Sequence, residues 1–183
     1  MSKPEGNHQT EKGMIKRVFG DAIDGPEHRY IPRFPELPLA GFGFLTHFLW
    51  EMLQVPWYSG MAEASHASVV WLCTRATGGD VVILLISFWL ASVTCSNRQW
   101  LLRGDRKPAV VLIITALVVT VVLEWLAIGP LERWTYADSM PIIPMLDVGL
   151  TPVFQWLLLS PVIMWLARRH MLGYTALLPC KPS

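Results

Sequence analysis

Four long apolar stretches, separated by polar or proline-rich segments, set the hydropathy pattern of this chain. A helix needs about 20 apolar residues to cross the hydrocarbon core of a bilayer, and each stretch is close to that length. Pro108 suits a first helical turn, and Gly129-Pro130 should end the third stretch. The pattern therefore predicts membrane spans at about residues 37–58, 81–102, 108–128 and 150–168.

The segment between the first two spans is too polar to cross a membrane. Residues Met61 to Thr77 indicate an amphipathic helix on the membrane surface, which Gly78-Gly79 is expected to separate from the second span. A re-entrant element is the alternative. The predicted fold is thus all-α: a polytopic membrane helical bundle of four transmembrane helices plus an external amphipathic helix.

Polar segments flank the apolar region at both ends. Residues 1–36 are charged and lack the apolar core of a signal peptide, so we expect a polar cytoplasmic tail. Residues 37–172 form the predicted four-helix transmembrane domain, and residues 173–183 a cytoplasmic C-terminal tail. The hydrophobic fraction of 52% and the mean hydropathy of +0.39 also indicate the membrane class.

The distribution of lysine and arginine predicts the orientation, because these residues concentrate on the cytoplasmic side of membrane proteins. Thirteen of the 15 lie before the first span, between the second and third, or after the fourth. Only Arg75 and Arg133 lie in the two other connections. We therefore predict a multi-pass protein of the bacterial inner (cytoplasmic) membrane with both termini cytoplasmic. The net charge of +1 implies no surface for nucleic acid.

The first span carries an ionisable stripe. In the sequence THFLWEMLQVPWY, His47, Glu51 and Gln54 fall at positions i, i+4 and i+7, which is one face of a helix. A charge in the membrane costs several kcal/mol, so such residues face the bundle interior and mark functional sites by default. Packing of His47 and Glu51 against each other or a neighbouring helix is the alternative.

Polar groups on the other spans fall at a similar depth. At a rise of about 1.5 Å per residue, Glu51, Glu124 and Gln155 lie roughly 6–10 Å below the external ends of their spans. Asp80 stands at the external mouth of the second span, either in the site or as a helix N-cap. His47 lies deeper, near the midplane. We therefore predict a small polar cavity that opens outward.

This cavity suits acid/base chemistry. If Glu51 and Glu124 are close, one carboxyl carries a proton and can act as acid while the other acts as base. His47 would relay a proton or orient Glu51. Gln54, Asp80 and Gln155 would bind the substrate; the alternative for Gln155 is a hydrogen bond that joins two helices.

The connection after the third span, GPLERWTYADSMPIIPMLDVGLTP, is apolar and rich in proline. We interpret it as a lid over the cavity mouth, with Trp134 and Tyr136 pointing toward the site. An interfacial loop anchored by Met140, Ile142 and Ile143 has equal weight.

Several short motifs together resemble a widespread uncharacterised family of small bacterial polytopic membrane proteins. The family often has a histidine where Leu72 stands, before Cys73, so a metal role for Cys73 is not expected. A vaguer likeness exists to membrane carotenoid cyclases and hydratases, in which a carboxylic acid protonates an olefin and aromatic residues shield the cation. The motifs are Trp50-Glu51 with Gln54, Pro56 and Tyr58; Gly79-Asp80; Glu124-Trp125; Trp134-Thr135-Tyr136 with Met140-Pro141 and Pro144; and Gly149-Leu150, Pro152 and Gln155-Trp156.

Three functions remain open at this point. The first is an intramembrane enzyme acting on a lipophilic molecule such as an isoprenoid or lipid, with Glu51, Glu124 and His47 as catalytic residues. The second is a protein that binds or transports a metal ion or small solute. The third is an accessory subunit of a membrane complex, and a homo-oligomer is also open. No cofactor is expected, and the three cysteines fit neither a zinc site nor a disulfide framework.

Overall fold

The structure is a computed structural model that describes residues 34–61 and 63–177. The predicted N-terminal tail lies almost wholly outside the described residues, whereas residues 173–177 of the predicted C-terminal tail belong to the last helix, which runs beyond the predicted end of the span. Five helices and a short strand pair make up the fold: α1 (Glu36–Gln54), α2 (His66–Thr94), α3 (Trp100–Arg103), α4 (Arg106–Ile128), β1 (Ile142–Ile143), β2 (Val148–Gly149) and α5 (Leu150–Leu177).

The four long helices form a bundle in which each packs against two others. Helix α1 contacts α2 and α5, and α4 contacts the same two helices on the other side. Gly43 of α1 lets α2 approach closely, because a Cβ at this position would lie 2.6 Å from Cδ2 of Leu84. The core between the helices is apolar and includes Leu39, Leu84, Phe88, Leu112, Trp156 and Ile163.

Three helices among the described residues, α2, α4 and α5, are long and apolar enough to cross a membrane, as expected of a membrane protein. The all-helical prediction is thus confirmed at this level, apart from the strand pair, while a fourth span stays a prediction. Helix α1 is not one of the three, and the polar residues His47, Glu51 and Gln54 lower its hydropathy.

The prediction of a separate surface helix before the second span is wrong. Helix α2 runs without interruption from His66 to Thr94 and includes Gly78-Gly79. Two glycines cost about 1 kcal/mol each in a helix, whereas unpaired backbone groups in hydrocarbon cost several kcal/mol each, so the helix continues. Asp80 therefore lies within α2 and is no N-cap; Ser65 caps this helix by accepting a hydrogen bond from the N–H of Ser68 at 3.2 Å.

The other helix ends follow local chemistry. Helix α1 gives way at Gln54 to a 3-10 turn over Val55–Trp57, where Pro56 has no N–H to donate. Helix α2 ends at Thr94, earlier than the expected residue 102, and a turn with α3 follows. Helix α4 ends at Ile128, before Gly129-Pro130 as predicted.

One end of the bundle is held together by contacts between distant segments. Arg98, after α2, forms an ion pair with Glu36 at the start of α1. Arg168 of α5 donates from Nε to the carbonyl of Leu102 at 3.0 Å. The beginning of α1, the α2–α4 connection and the later part of α5 therefore meet at this end.

The connection between α4 and α5 is tied to the opposite end of the bundle. Strands β1 and β2 pair in antiparallel fashion, and Tyr136 forms an antiparallel bridge with Tyr58. The N–H of Ser59 donates to the carbonyl of Thr135 at 3.0 Å, and the N–H of Ala137 to that of Trp57 at 2.9 Å. These bonds hold the connection beside the end of α1.

Candidate functional site

Gln155 joins three helices through its side-chain amide. Its Nε2 lies 2.8 Å from Nδ1 of His47 on α1 and 2.9 Å from Oδ2 of Asp80 on α2. An amide nitrogen only donates, so both atoms accept from it. Nδ1 of His47 is then the acceptor nitrogen, and the ring proton lies on Nε2. The amide thus fixes both the tautomer of the histidine and the position of the aspartate.

Glu51 lies beside this hub. Its Oε1 accepts from Nε2 of Gln54 at 2.8 Å and from Nε2 of Gln155 at 3.4 Å. Gln54 is itself held by the indole N–H of Trp50, which donates to Oε1 at 3.1 Å. Asp80 is its neighbour at this amide, because Nε2 of Gln155 also lies 2.9 Å from Oδ2 of Asp80.

Glu124 belongs to a second set of contacts, with the α4–α5 connection. The phenol of Tyr136 donates to Oε2 of Glu124 at 2.7 Å, and the indole N–H of Trp134 reaches the same oxygen at 3.4 Å. The phenol oxygen in turn accepts from the N–H of Gly149 at 2.8 Å. Burial, followed by the charge of Glu124, raises the pKa of Tyr136, so the phenol keeps the proton that it donates.

Both sets of carboxyls line one cavity of about 710 Å³, within the usual size range of small-molecule sites. It lies between α1, α2, α4 and the start of α5, below the Trp134 segment. Much of its wall is aliphatic. The site residues along it are Glu51, Gln54, Asp80, Glu124, Trp134 and Gln155, and the aliphatic ones include Val55, Leu72, Ile83, Leu123, Leu126 and Leu131.

The sequence predicted an acid and base pair from Glu51 and Glu124 if the two lie close together. Both line the same cavity, and the carboxyl that shares the Gln155 amide with Glu51 is that of Asp80. Helix α2 is continuous, so Asp80 lies among the other helices and not at a helix end.

His47 lies behind the cavity wall and is fully buried. Its Nε2 has no hydrogen-bond partner among the described residues, and its ring lies 4.7 Å from that of Trp156. Nδ1 is 3.7 Å from Oδ2 of Asp80, with Gln155 bonded to both. This placement suits an orienting role better than direct contact with a substrate.

Several polar cavity residues were not predicted as site residues from the sequence. Arg75, Arg133 and Thr120 are among them, and all line the cavity. The Thr120 hydroxyl is buried and without a partner in the described part of the chain. Thr120 precedes Glu124 by one helical turn, so helical spacing in α4 is the signal that could have found it.

Within residues 34–61 and 63–177, no group of three or more His, Cys, Asp or Glu side chains has the geometry to hold a metal ion. Comparison with protein-family models, curated proteins and solved structures found no match. The resemblance to a family of small bacterial membrane proteins therefore stays a prediction, and function is argued from the site.

Proposed function

We propose that this protein is an integral membrane protein whose cavity carries out acid/base chemistry on a lipophilic molecule, of the isoprenoid or lipid class. One observation carries the proposal: Glu51, Asp80 and Glu124 line a single cavity whose remaining wall is largely aliphatic. Burying a carboxyl group costs free energy, and buried carboxyls in membrane proteins are concentrated at functional sites. An aliphatic wall suits a hydrocarbon ligand.

The position of Glu51 and Asp80 at the same amide supports acid/base chemistry. When one carboxyl of such a pair carries a proton, it can donate while the other accepts, as in enzymes that use paired acids. Glu124 has a different environment, with two donors from the lid bonded to one oxygen. We assign Glu51 and Glu124 to catalysis, with Asp80 and Gln155 holding Glu51 in place and His47 orienting that pair.

We propose α1 as the fourth span. Its polar face points into the bundle, while Leu45, Leu49 and Leu53, spaced four residues apart, are more than 60% exposed on the opposite face. An aliphatic outer face with a polar inner face is the pattern of a helix that borders lipid and lines a site. With four spans, the arginine and lysine distribution supports an orientation with both termini in the bacterial cytoplasm and the cavity mouth outside.

The first experiment is complementation of a deletion strain with Glu51→Gln and Glu124→Gln. Each variant removes a titratable group and keeps the side-chain volume, so we expect near-normal expression and loss of function. The matched control is Glu132→Gln, an exposed acid in the connection after α4. Full function of both site variants would contradict the proposal.

The second experiment identifies what the cavity binds. Protein purified in a mild detergent is extracted and analysed by mass spectrometry for lipids and polyenes, beside the Glu132→Gln control. We expect a lipophilic species in stoichiometric amount. Recovery of a stoichiometric metal without such a species would favour the metal-binding hypothesis instead.

A further inference from the structure

Two arginines share the cavity with the carboxyls. Arg75 of α2 and Arg133 of the α4–α5 connection both line it, and both are exposed. Neither guanidinium forms an ion pair or a hydrogen bond with any of the described residues. They are also the only two lysine or arginine residues of the sequence between the first and second or the third and fourth predicted spans, which are expected to face outward. Both positive charges expected on the external side therefore line the same cavity.

We propose that the molecule bound in the cavity is a lipid with a phosphate group, and that Arg75 and Arg133 hold this phosphate at the cavity mouth. The inference rests on the proposed function and adds the chemical class of the substrate. Guanidinium groups bind phosphate through paired hydrogen bonds and are always charged. Two such groups without carboxylate partners suit a ligand that brings the anion.

The spacing along α2 separates the phosphate subsite from the carboxyls. Arg75 precedes Asp80 by five residues, which is about 7.5 Å along a helix axis. If the phosphate binds at Arg75, the carboxyls of Glu51 and Asp80 lie at the depth of lipid atoms a few bonds from the phosphorus. An ester group or an allylic carbon would occupy that position.

Thr120 gives this arrangement independent support. Its side chain lines the cavity, the residue is 7% exposed, and the hydroxyl has no partner among the residues described. Other buried hydroxyls of the described residues also lack a partner, but Thr120 is the one among them that lines the cavity, where it can bond to a polar group of the ligand. Leu72 and Leu123 line the same cavity and are 43% and 48% exposed, which leaves an accessible aliphatic surface for the lipid tail.

The test compares two lipids that differ only in the phosphate. Purified full-length protein is titrated with dioleoyl phosphatidic acid and with dioleoylglycerol, and bound lipid is counted by native mass spectrometry. We expect phosphatidic acid to bind at least about tenfold more tightly to the wild type. In Arg75→Gln/Arg133→Gln this preference should fall to near unity. The control is Arg103→Gln, an exposed arginine at the other end of the bundle, which should keep the preference.

A competition arm separates a lipid from a soluble phosphate. Glycerol 3-phosphate in excess should leave phosphatidic acid bound, because it lacks the tail. Equal competition by glycerol 3-phosphate would overturn the lipid assignment, and an unchanged preference in the double arginine variant would overturn the phosphate assignment. If that variant binds like the wild type while Glu51→Gln still abolishes complementation, the phosphate inference fails and the proposed function stands.

Discussion

The phenol of Tyr136 donates a hydrogen bond to the carboxyl of Glu124 over 2.7 Å. This contact joins the α4–α5 connection to a transmembrane helix at the edge of the cavity. The phenol oxygen also accepts from the N–H of Gly149, at the end of the same connection. The Tyr136 side chain thus links the two ends of the connection to each other and attaches the connection to α4 beside the cavity. This is the arrangement expected of a lid.

We expect Tyr136→Phe to lower both function and stability. The substitution leaves the Gly149 N–H without its acceptor and Glu124 without its closest donor, at a cost of about 1–3 kcal/mol for a buried unsatisfied group. Thermal unfolding in detergent measures the loss. Tyr58→Phe is the matched control, because it keeps the ring contact of 5.6 Å between the two tyrosines. Equal melting temperatures for Tyr136→Phe and the wild type would exclude the proposed lid anchor.

Alkaline pH should destabilise the protein through the same side chain. Burial, and then the charge of Glu124, raises the pKa of Tyr136 above its ordinary value of 10.0. The folded protein therefore keeps a proton that the unfolded chain loses, and the free energy of unfolding falls as the pH rises above 10. We expect Tyr136→Phe to flatten this decline. Unfolding in detergent at a series of alkaline pH values tests this, and an identical slope in the variant would argue against it.

We expect Gln155→Leu to cost about 1–3 kcal/mol for each buried partner left unsatisfied. Nδ1 of His47 and Oδ2 of Asp80 both lose the donor that joins α1, α2 and α5. Reversible unfolding in mixed micelles measures the change. Phe154→Leu, at the adjacent exposed position, serves as control and should change stability little. A Gln155→Leu variant as stable as this control would mean that the hydrogen bonds of Gln155 to His47 and Asp80 do not hold the helices together.

Gly43→Ala should destabilise the bundle, whereas Gly41→Ala should not. A Cβ at Gly43 would lie 2.6 Å from Leu84, which is fully buried, while a Cβ at Gly41 meets nothing within 4 Å. Overpacking costs about 1–3 kcal/mol, and alanine at an open helical position gains up to about 1 kcal/mol over glycine. Opposite shifts in melting temperature are expected. Shifts of the same sign would show that α1 and α2 do not pack as described.

Much of the site could be predicted from the sequence because helical periodicity is regular. The spacing of His47, Glu51 and Gln54 placed them on one inward face, and depth counting brought Glu124 and Gln155 to the same level. The structure brings all five to the cavity or its immediate wall. Their catalytic and binding roles remain predictions.

The rest depends on tertiary context that a linear pattern does not carry. Gly78-Gly79 has low helix propensity, yet α2 passes through it because an apolar surrounding penalises a broken backbone more strongly. Treating the glycines as a break moved Arg75 to a different helix from Asp80 and hid its place beside the carboxyls. Thr120 was missed for another reason: threonine is common on apolar helices, and only its place in the cavity wall distinguishes it.

Chemical accessibility of the cavity tests the central claim most directly. In a background with Cys73, Cys95 and Cys180 replaced by serine, Thr120→Cys places a single thiol in the cavity wall. A small, charged, membrane-impermeant methanethiosulfonate should label it in right-side-out spheroplasts, while Arg103→Cys should be labelled only in inverted vesicles. Labelling of Thr120→Cys only from the cytoplasmic side, or from neither side, would contradict an outward-facing polar cavity.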